Sequence, residues 1–499
     1  VKPGLPYNKL PAFLYLGALA ILVASGLFIA QKFFFVSILL FAGALLLASL
    51  LISTFKLHYH FFMLLALALP FSVEFPVSES LKINMPSEPM LALALFTLGW
   101  EILKKPALLR ELFSGESKWA IPLLACFLIA ICFSVRKVVS LKFSAVNLAY
   151  ILVFLLWMKL FFKNRPDFFL KLLILFSLSQ LVVLAFSVWQ LSGFDWNRAT
   201  VKGIFRPFYK DHTIFGATVA ILSAFWLVSS TKAQSPLLKL LFLILGMIFS
   251  VGVLLSSSRA AFLSLVFFIL VWIALQIRIR IKHMVLGLVL ATVFAGVYQN
   301  ELVQFFNSNT KISHDSSASY VERIESSGNI NTDISNRERI SRWYAGLKMA
   351  EQRPLTGFGP GTFQFEYIPF QNPKLSNRLT VKNYWHIPEN SGGTAHSEYV
   401  LALSEMGFPG LLALLLLLGR WIWLAFERPG NYPQRKNMII AFAAISTYLF
   451  HGAVNNFLST DKFAFLFWGF AAWLNASYEL SKTAPADETT TDNRQTTIL

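Results

Sequence analysis

TAHSEYVLALSEMGFPGLLALLLLL, residues 394 to 418, begins with polar residues around His396 and ends in an almost unbroken run of leucines. Extended to residue 425, its apolar part exceeds the ~20 residues that a helix needs to cross a bilayer. The stretch therefore reads as a membrane span over 398–425, with a histidine at its mouth where a polar loop returns to the membrane. Further apolar runs lie before it, near 11–30, 33–53, 60–77, 87–103, 119–135, 147–163, 168–190, 213–229, 237–255, 260–276 and 283–300. Two more follow it, near 438–456 and 462–478. No alternating barrel pattern of ~10-residue segments is present, and lipid leaves helices as the other way to satisfy a spanning backbone. The expected fold is an all-α, polytopic membrane protein of about 12–14 transmembrane helices.

Composition agrees. The 499 residues are 56% hydrophobic and 14% charged, with a mean hydropathy of +0.59, whereas soluble domains carry roughly 25% charged residues. A net charge of +17 can signal nucleic-acid binding, but that needs a basic soluble surface. Here the basic residues sit in short loops between spans, which is a matter of membrane topology, and no nucleic-acid partner is expected. Cys126 and Cys132 share one apolar run, so they read as packing residues rather than a disulfide framework or zinc site. Lys2 and Lys9 precede a run long enough to be the first span rather than a cleaved leader.

Lysine and arginine placement sets the expected sides. Lys104, Lys105, Arg110 and Lys118 share a side with Lys163, Arg165, Lys232, Lys239, Arg278, Arg280, Lys282, Arg428, Arg435 and Lys436. That side is expected to be cytoplasmic, with both termini inside. Arg136, Lys137 and Lys142 break the rule, as do Arg198, Lys202, Arg206 and Lys210. A charge retained on the wrong side needs another reason to be there. The resulting organisation is an N-terminal bundle over 1–297, a large extracytoplasmic loop over 298–397, C-terminal helices over 398–480 and a solvated tail over 481–499.

A loop of that length is either functional or disordered. Its early part, HDSSASYVERIESSGNINTD (314–333), is polar and weakly patterned. NRERISRWYAGLKMAEQRPLTGFGPGTF (336–363) reads as ordered. Ser335 and Glu338 fit a capping box, Ile340, Trp343, Tyr344 and Leu347 recur at helical spacing, and Pro354 ends the helix. Arg339 and Arg342 crowd its first turns, where a positive helix end disfavours cations unless an anion arrives. The bland alternative is a solvated face balanced by Glu338 and Glu351, which suits Arg337. Gly357, Gly359 and Gly361 mark a tight turn; the strand–turn–helix setting of a nucleotide loop is missing.

His396 reads either as an interfacial packing residue or as a general base, since a helix N-terminus disfavours imidazolium and a neutral ring can accept a proton. His314 and His386 are irregularly spaced from it, so no metal site is expected. Arg259, in LLSSSRAAFL, is either a snorkelling hairpin tip or a residue facing a polar cavity. GIFRPFYKDHTIFGA adds Arg206, Lys210 and His212 on the same face. Several cations and one imidazole thus converge where a lipid headgroup would sit.

SSSRAAFLSL, then R-x-x-x-W followed by RPLTGFGPGTF, then AHSEYVLALSEMGFPGLL, in that order around a large loop, resemble the O-antigen ligase and O-antigen polymerase superfamily. The resemblance covers roughly residues 200 to 420; the earlier spans match only in being hydrophobic. It implies inverting, metal-independent and cofactor-free transfer of a glycan from an undecaprenyl-diphosphate carrier to an acceptor hydroxyl, on the periplasmic face of a bacterial inner membrane. The catalytic histidine falls on His396, and the two loop arginines on Arg259 and Arg339, with Arg206 in a further basic position. His396 is followed by Ser-Glu where asparagine often stands, which bears on the acceptor. The chemistry agrees with the residues: arginine forks can hold a departing diphosphate without a metal, and no Asp-x-Asp recruits one on this face.

Acceptors consistent with this reading are lipid A core, a second repeat unit (a polymerase) and a protein serine or threonine. A lipid-linked glycan flippase is the alternative of another class, but it would carry its cations in a central cavity between short loops. The long loop and one-sided charges favour a transferase.

Overall fold

The computed structural model describes residues 34–76, 82–194, 203–298, 334–375, 393–426 and 434–483. The expected span at 11–30, the polar stretch 314–333, His314, His386, Arg198, Lys202, Arg428 and the tail from 484 lie outside these residues. Contacts divide the chain into two compact units, Val1–Arg110 with Lys171–Gln180 and Glu111–Leu170 with Leu181–Leu499.

In the first unit, helices α1 (Phe34–Thr54), α2 (His58–Ala68) and α3 (Ser87–Lys104) pack together. The expected span at 60–77 is not a single helix. Pro70 and Pro76 lack amide donors, and α2 gives way to a turn and an antiparallel hairpin that pairs Val73 with Met85.

The second unit holds most of the eight helices among the described residues that are long and apolar enough to cross a membrane. These are α4 (Gly115–Cys132), α5 (Lys137–Asn164), α6 (Phe168–Ser192), α7 (His212–Lys232), α8 (Pro236–Leu255), α9 (Arg259–Gln276), α12 (Glu398–Phe426) and α13 (Arg435–Val454). Around them stand α10 (Ile281–Val297), the loop helix α11 (Ile334–Gln352) and α14 (Asp461–Thr483). The protein is a predominantly helical, multi-pass membrane protein.

α7 and α8 show how position follows from sequence. Gly216, Ala217, Ala220, Ser223 and Ala224 leave α7 narrow enough for close packing against α8, α9 and α13. In α7, 83% of the spanning window is buried, against 28% in α8, so α8 turns its leucines outward to lipid. α5 starts at Lys137 rather than at 147. Its early turns place Ser140, Ser144 and Asn147 on one buried face, a polar pattern that hydropathy does not register.

α12 is not one straight helix. Gly407 sits at φ 70°, ψ −171° inside it, followed by Pro409. Away from this kink, toward its C-terminal end, Arg420 makes two hydrogen bonds of 2.7 and 2.8 Å to Glu116. Near the C-terminal end of α14, Glu479 accepts from Lys159 at 3.2 Å, Lys163 at 2.8 Å and the Glu116 amide at 2.8 Å. This buried ionic group ties α4, α5, α12 and α14 together at the end opposite His396. Removing one partner would leave an uncompensated charge.

Candidate functional site

His396 lies just outside α12. The helix is capped by Ser397, whose Oγ accepts from the Val400 amide at 3.3 Å while its carbonyl receives Leu401 at 2.9 Å. His396 itself takes φ 51°, a left-handed conformation uncommon for a residue other than glycine. Two donors from α11 hold that backbone: Trp343 Nε1 to the His396 carbonyl at 3.2 Å and Arg342 Nη1 to the Thr394 carbonyl at 2.8 Å. From the other side, Asn456 Nδ2 donates to Thr394 Oγ1 at 2.7 Å. Ala345, Met349, Phe363, Tyr367, Ala395 and Leu401 form the apolar backing beneath.

The histidine ring meets Glu338, with Nε2 to Oε1 at 3.5 Å. The same oxygen accepts from Arg342 Nη2 at 2.9 Å. Burial alone would push the Glu338 carboxyl up. The hydrogen bond with His396 and the charges of Arg342 and His396 outweigh it, leaving the group below its ordinary value. Arg342 is only 3% exposed and also stacks over the Tyr367 ring at 5.2 Å. Burial in turn holds the Tyr367 phenol above its ordinary value. Arg342 thus faces the protein interior rather than an open headgroup position.

The remaining arginines differ. Arg339, on the half-buried side of α11, donates from Nε to the Val454 carbonyl at 3.1 Å and from Nη1 to Ser335 Oγ at 2.7 Å. Ser335 already lies within α11, and Glu338 turns to His396 and Arg342, so the expected capping box gives way to these contacts. Arg337 donates to the Lys374 carbonyl at 3.1 Å. Arg259 is the first residue of α9, behind the cap Ser258. Arg206 is exposed in the turn before α7. Contacts of flanking residues join their segments: His212 Nδ1 bonds the Ser256 carbonyl at 2.8 Å, and Lys462, at the start of α14, holds the Phe208 carbonyl and lies 4.8 Å over Tyr209.

The glycine turn and the kink of α12 are two halves of one lock. In an unbroken helix, the Ser404 carbonyl would receive Phe408 and the Glu405 carbonyl would receive residue 409. Phe408 instead donates to Pro354 at 2.8 Å, and Pro409 has no N–H. Phe358 and Gly359 supply the missing donors, to Ser404 at 3.0 Å and Glu405 at 2.9 Å. The Glu405 carboxylate then accepts Gly361 at 2.8 Å and Phe363 at 2.9 Å. A Cβ on Gly357, at φ 62°, would run into the Glu405 backbone. Because the amides of Gly357, Gly359 and Gly361 all bond within the protein, the turn docks the loop and its amides are not presented to an anion.

From the sequence Glu338 reads as a capping residue and Arg342 as an anion contact, so their pairing with each other is missed, as are the roles of Glu398 and Glu405. Glu338 and Arg342 stand four apart on a helix, a spacing that marks an ion pair. Glu398 and Glu405 are carboxylates within a span, which calls for a partner; Glu398 accepts from Tyr448 at 2.6 Å and Leu458 at 2.8 Å. Beside both carboxylates lies a cavity of about 50 Å³, lined also by Asn147, Phe143 and Trp468. Among the described residues, no three His, Cys, Asp or Glu side chains gather as a metal-binding group.

No curated protein matches the chain. Residues 240–415, which include Arg259, Arg339, Arg342, the glycine turn and His396 but not Arg206, match the sequence family described as O-antigen ligase.

Proposed function

We propose that the protein transfers a glycan from an undecaprenyl-diphosphate carrier to an acceptor hydroxyl, with inversion, on the periplasmic face of a bacterial inner membrane. The observation that carries this reading is the setting of His396: a strained backbone position at a span mouth, its ring against a half-buried carboxylate. His396 takes the acceptor proton as the acceptor oxygen bonds to the anomeric carbon. The carbon–oxygen bond to the diphosphate breaks, and the diphosphate leaves with the electron pair. Arg339, Arg259 and Arg206 face the diphosphate and stabilise its charge; Arg342 belongs to the frame that holds the histidine. The basic helix ends opposite His396 support a cytoplasmic assignment for that side.

The test compares purified wild type with His396→Ala, using an undecaprenyl-diphosphate-linked glycan. The acceptor panel is lipid A core, a repeat-unit glycan and a serine- or threonine-containing protein. Transfer is expected to fall by roughly 10²-fold or more, with donor binding and the thermal transition retained. Undiminished transfer by the variant would remove His396 from the chemistry. The acceptor that wild type glycosylates identifies the ligase, polymerase or protein-directed class.

A further inference from the structure

The geometry points to Glu338 as the positioning residue that orients the His396 imidazole and neutralises the imidazolium formed during transfer. The inference rests on the reading of His396 as the base. Its Nε2 is the nitrogen turned to Glu338, at 3.5 Å, so Nδ1 is the nitrogen left to receive the acceptor proton. When the acceptor O–H gives its proton to Nδ1 and its electron pair to the anomeric carbon, the ring becomes a cation. Glu338 supplies the opposing charge at the other nitrogen, as a carboxylate does for the histidine of a hydrolytic triad.

The carboxylate is itself fixed. Arg342 Nη2 holds Oε1 at 2.9 Å while Nη1 of the same fork holds the Thr394 carbonyl at 2.8 Å. One guanidinium thereby sets the distance between the carboxylate and the backbone that carries the histidine. Trp343, the next residue on α11, holds the His396 carbonyl at 3.2 Å. The charged and titratable groups facing Glu338 are His396 from the segment before α12, Arg342 from its own helix and Tyr367 from the segment after the glycine turn. The depressed carboxyl is consistent with a group kept ionised for this task.

A bland alternative makes Glu338 only a helix-surface partner of Arg342. The two roles separate in the pH–rate profile of Glu338→Gln, measured with the full-length protein in detergent, the undecaprenyl-diphosphate-linked glycan and the acceptor used by wild type. Positioning predicts kcat lower by about 10- to 100-fold, a share of what general-base catalysis contributes, with donor KM unchanged. It also predicts an acid limb displaced to lower pH, because the imidazolium loses its counter-charge. In the double variant with His396→Ala, the second substitution is expected to add nothing. Wild-type kcat and an unmoved limb in Glu338→Gln would overturn the inference.

If that variant does not fold, Glu338→Asp takes its place: the retracted carboxylate breaks the contact, kcat falls and the acid limb stays. Wild-type kcat in the aspartate variant overturns the inference equally. An inactive His396→Ala beside a fully active Glu338→Gln sinks positioning alone. A fully active His396→Ala sinks the base assignment itself.

Discussion

Arg136 Nε lies 2.6 Å from Glu366 Oε1, joining the start of α5 to the segment that follows the glycine turn. Arg353, which precedes the glycine turn, adds a neighbouring tie by donating to the carbonyl of Phe133 at the end of α4 at 3.3 Å. An arginine on the side expected to be poor in positive charge therefore has a structural reason to be there. The two side chains are 38% and 25% exposed, so solvent screens the pair. A double-mutant cycle with Arg136→Ala and Glu366→Ala is expected to give a coupling of about 0.5–1 kcal/mol that shrinks in high salt.

Gly357→Ala should be costly. The new Cβ meets the Glu405 backbone at a positive φ that alanine disfavours, and backbone cannot swing aside as a side-chain tip can. A loss of about 1–3 kcal/mol is expected, read as a lower thermal midpoint in detergent. Glu405→Gln tests the other half of the same lock. Its amide nitrogen cannot accept from either Gly361 or Phe363, so one hydrogen bond is lost and a buried amide is left without its acceptor, at a cost of about 1–3 kcal/mol.

The lock explains what was legible beforehand and what was not. GFGPG stands out as a turn-forming sequence, whereas EMGFPG reads as part of an unbroken span; the spans are visible because apolar runs report lipid directly. Nothing in either motif says that the amides of one answer the carbonyls of the other. That is a tertiary fact, set by which two segments meet. Likewise, Arg339 and His396 could be singled out by position, whereas Glu338 looked like a capping residue because local spacing cannot show a ring arriving from beyond residue 390. Arg342 was expected to face a diphosphate, and only burial shows it turned inward.

Protonation of Glu338 provides a pH-dependent signature. Its folded value is depressed, so its stabilising contribution is fully present above the unfolded carboxyl value and is lost as pH falls through the folded one. Thermal midpoints should fall as wild type is taken below the ordinary carboxylate range. Glu338→Gln should flatten that part of the curve, as measured by differential scanning fluorimetry across acidic buffers.

Arg339→Lys keeps the charge but loses the fork that reaches both the Val454 carbonyl and Ser335. Because lysine cannot reproduce a planar bidentate donor, the donor KM is expected to rise about tenfold, and loss of the two protein contacts should lower the thermal midpoint by a few degrees at roughly 1 kcal/mol per bond. An unaltered donor KM would place Arg339 outside the donor site.

The interlock of α12 with the glycine turn also has a consequence for the order of synthesis. The turn leaves the ribosome before α12 does, so Phe358 and Gly359 emerge before the carbonyls they will meet. In its kinked form, α12 has no donors of its own for the Ser404 and Glu405 carbonyls, and a lipid interior offers none. The kinked form is therefore completed only when the earlier segment folds back onto it. Docking of the loop onto α12 is thus a post-insertion event, and the loop expressed without its following helix would lack the surface that shapes it.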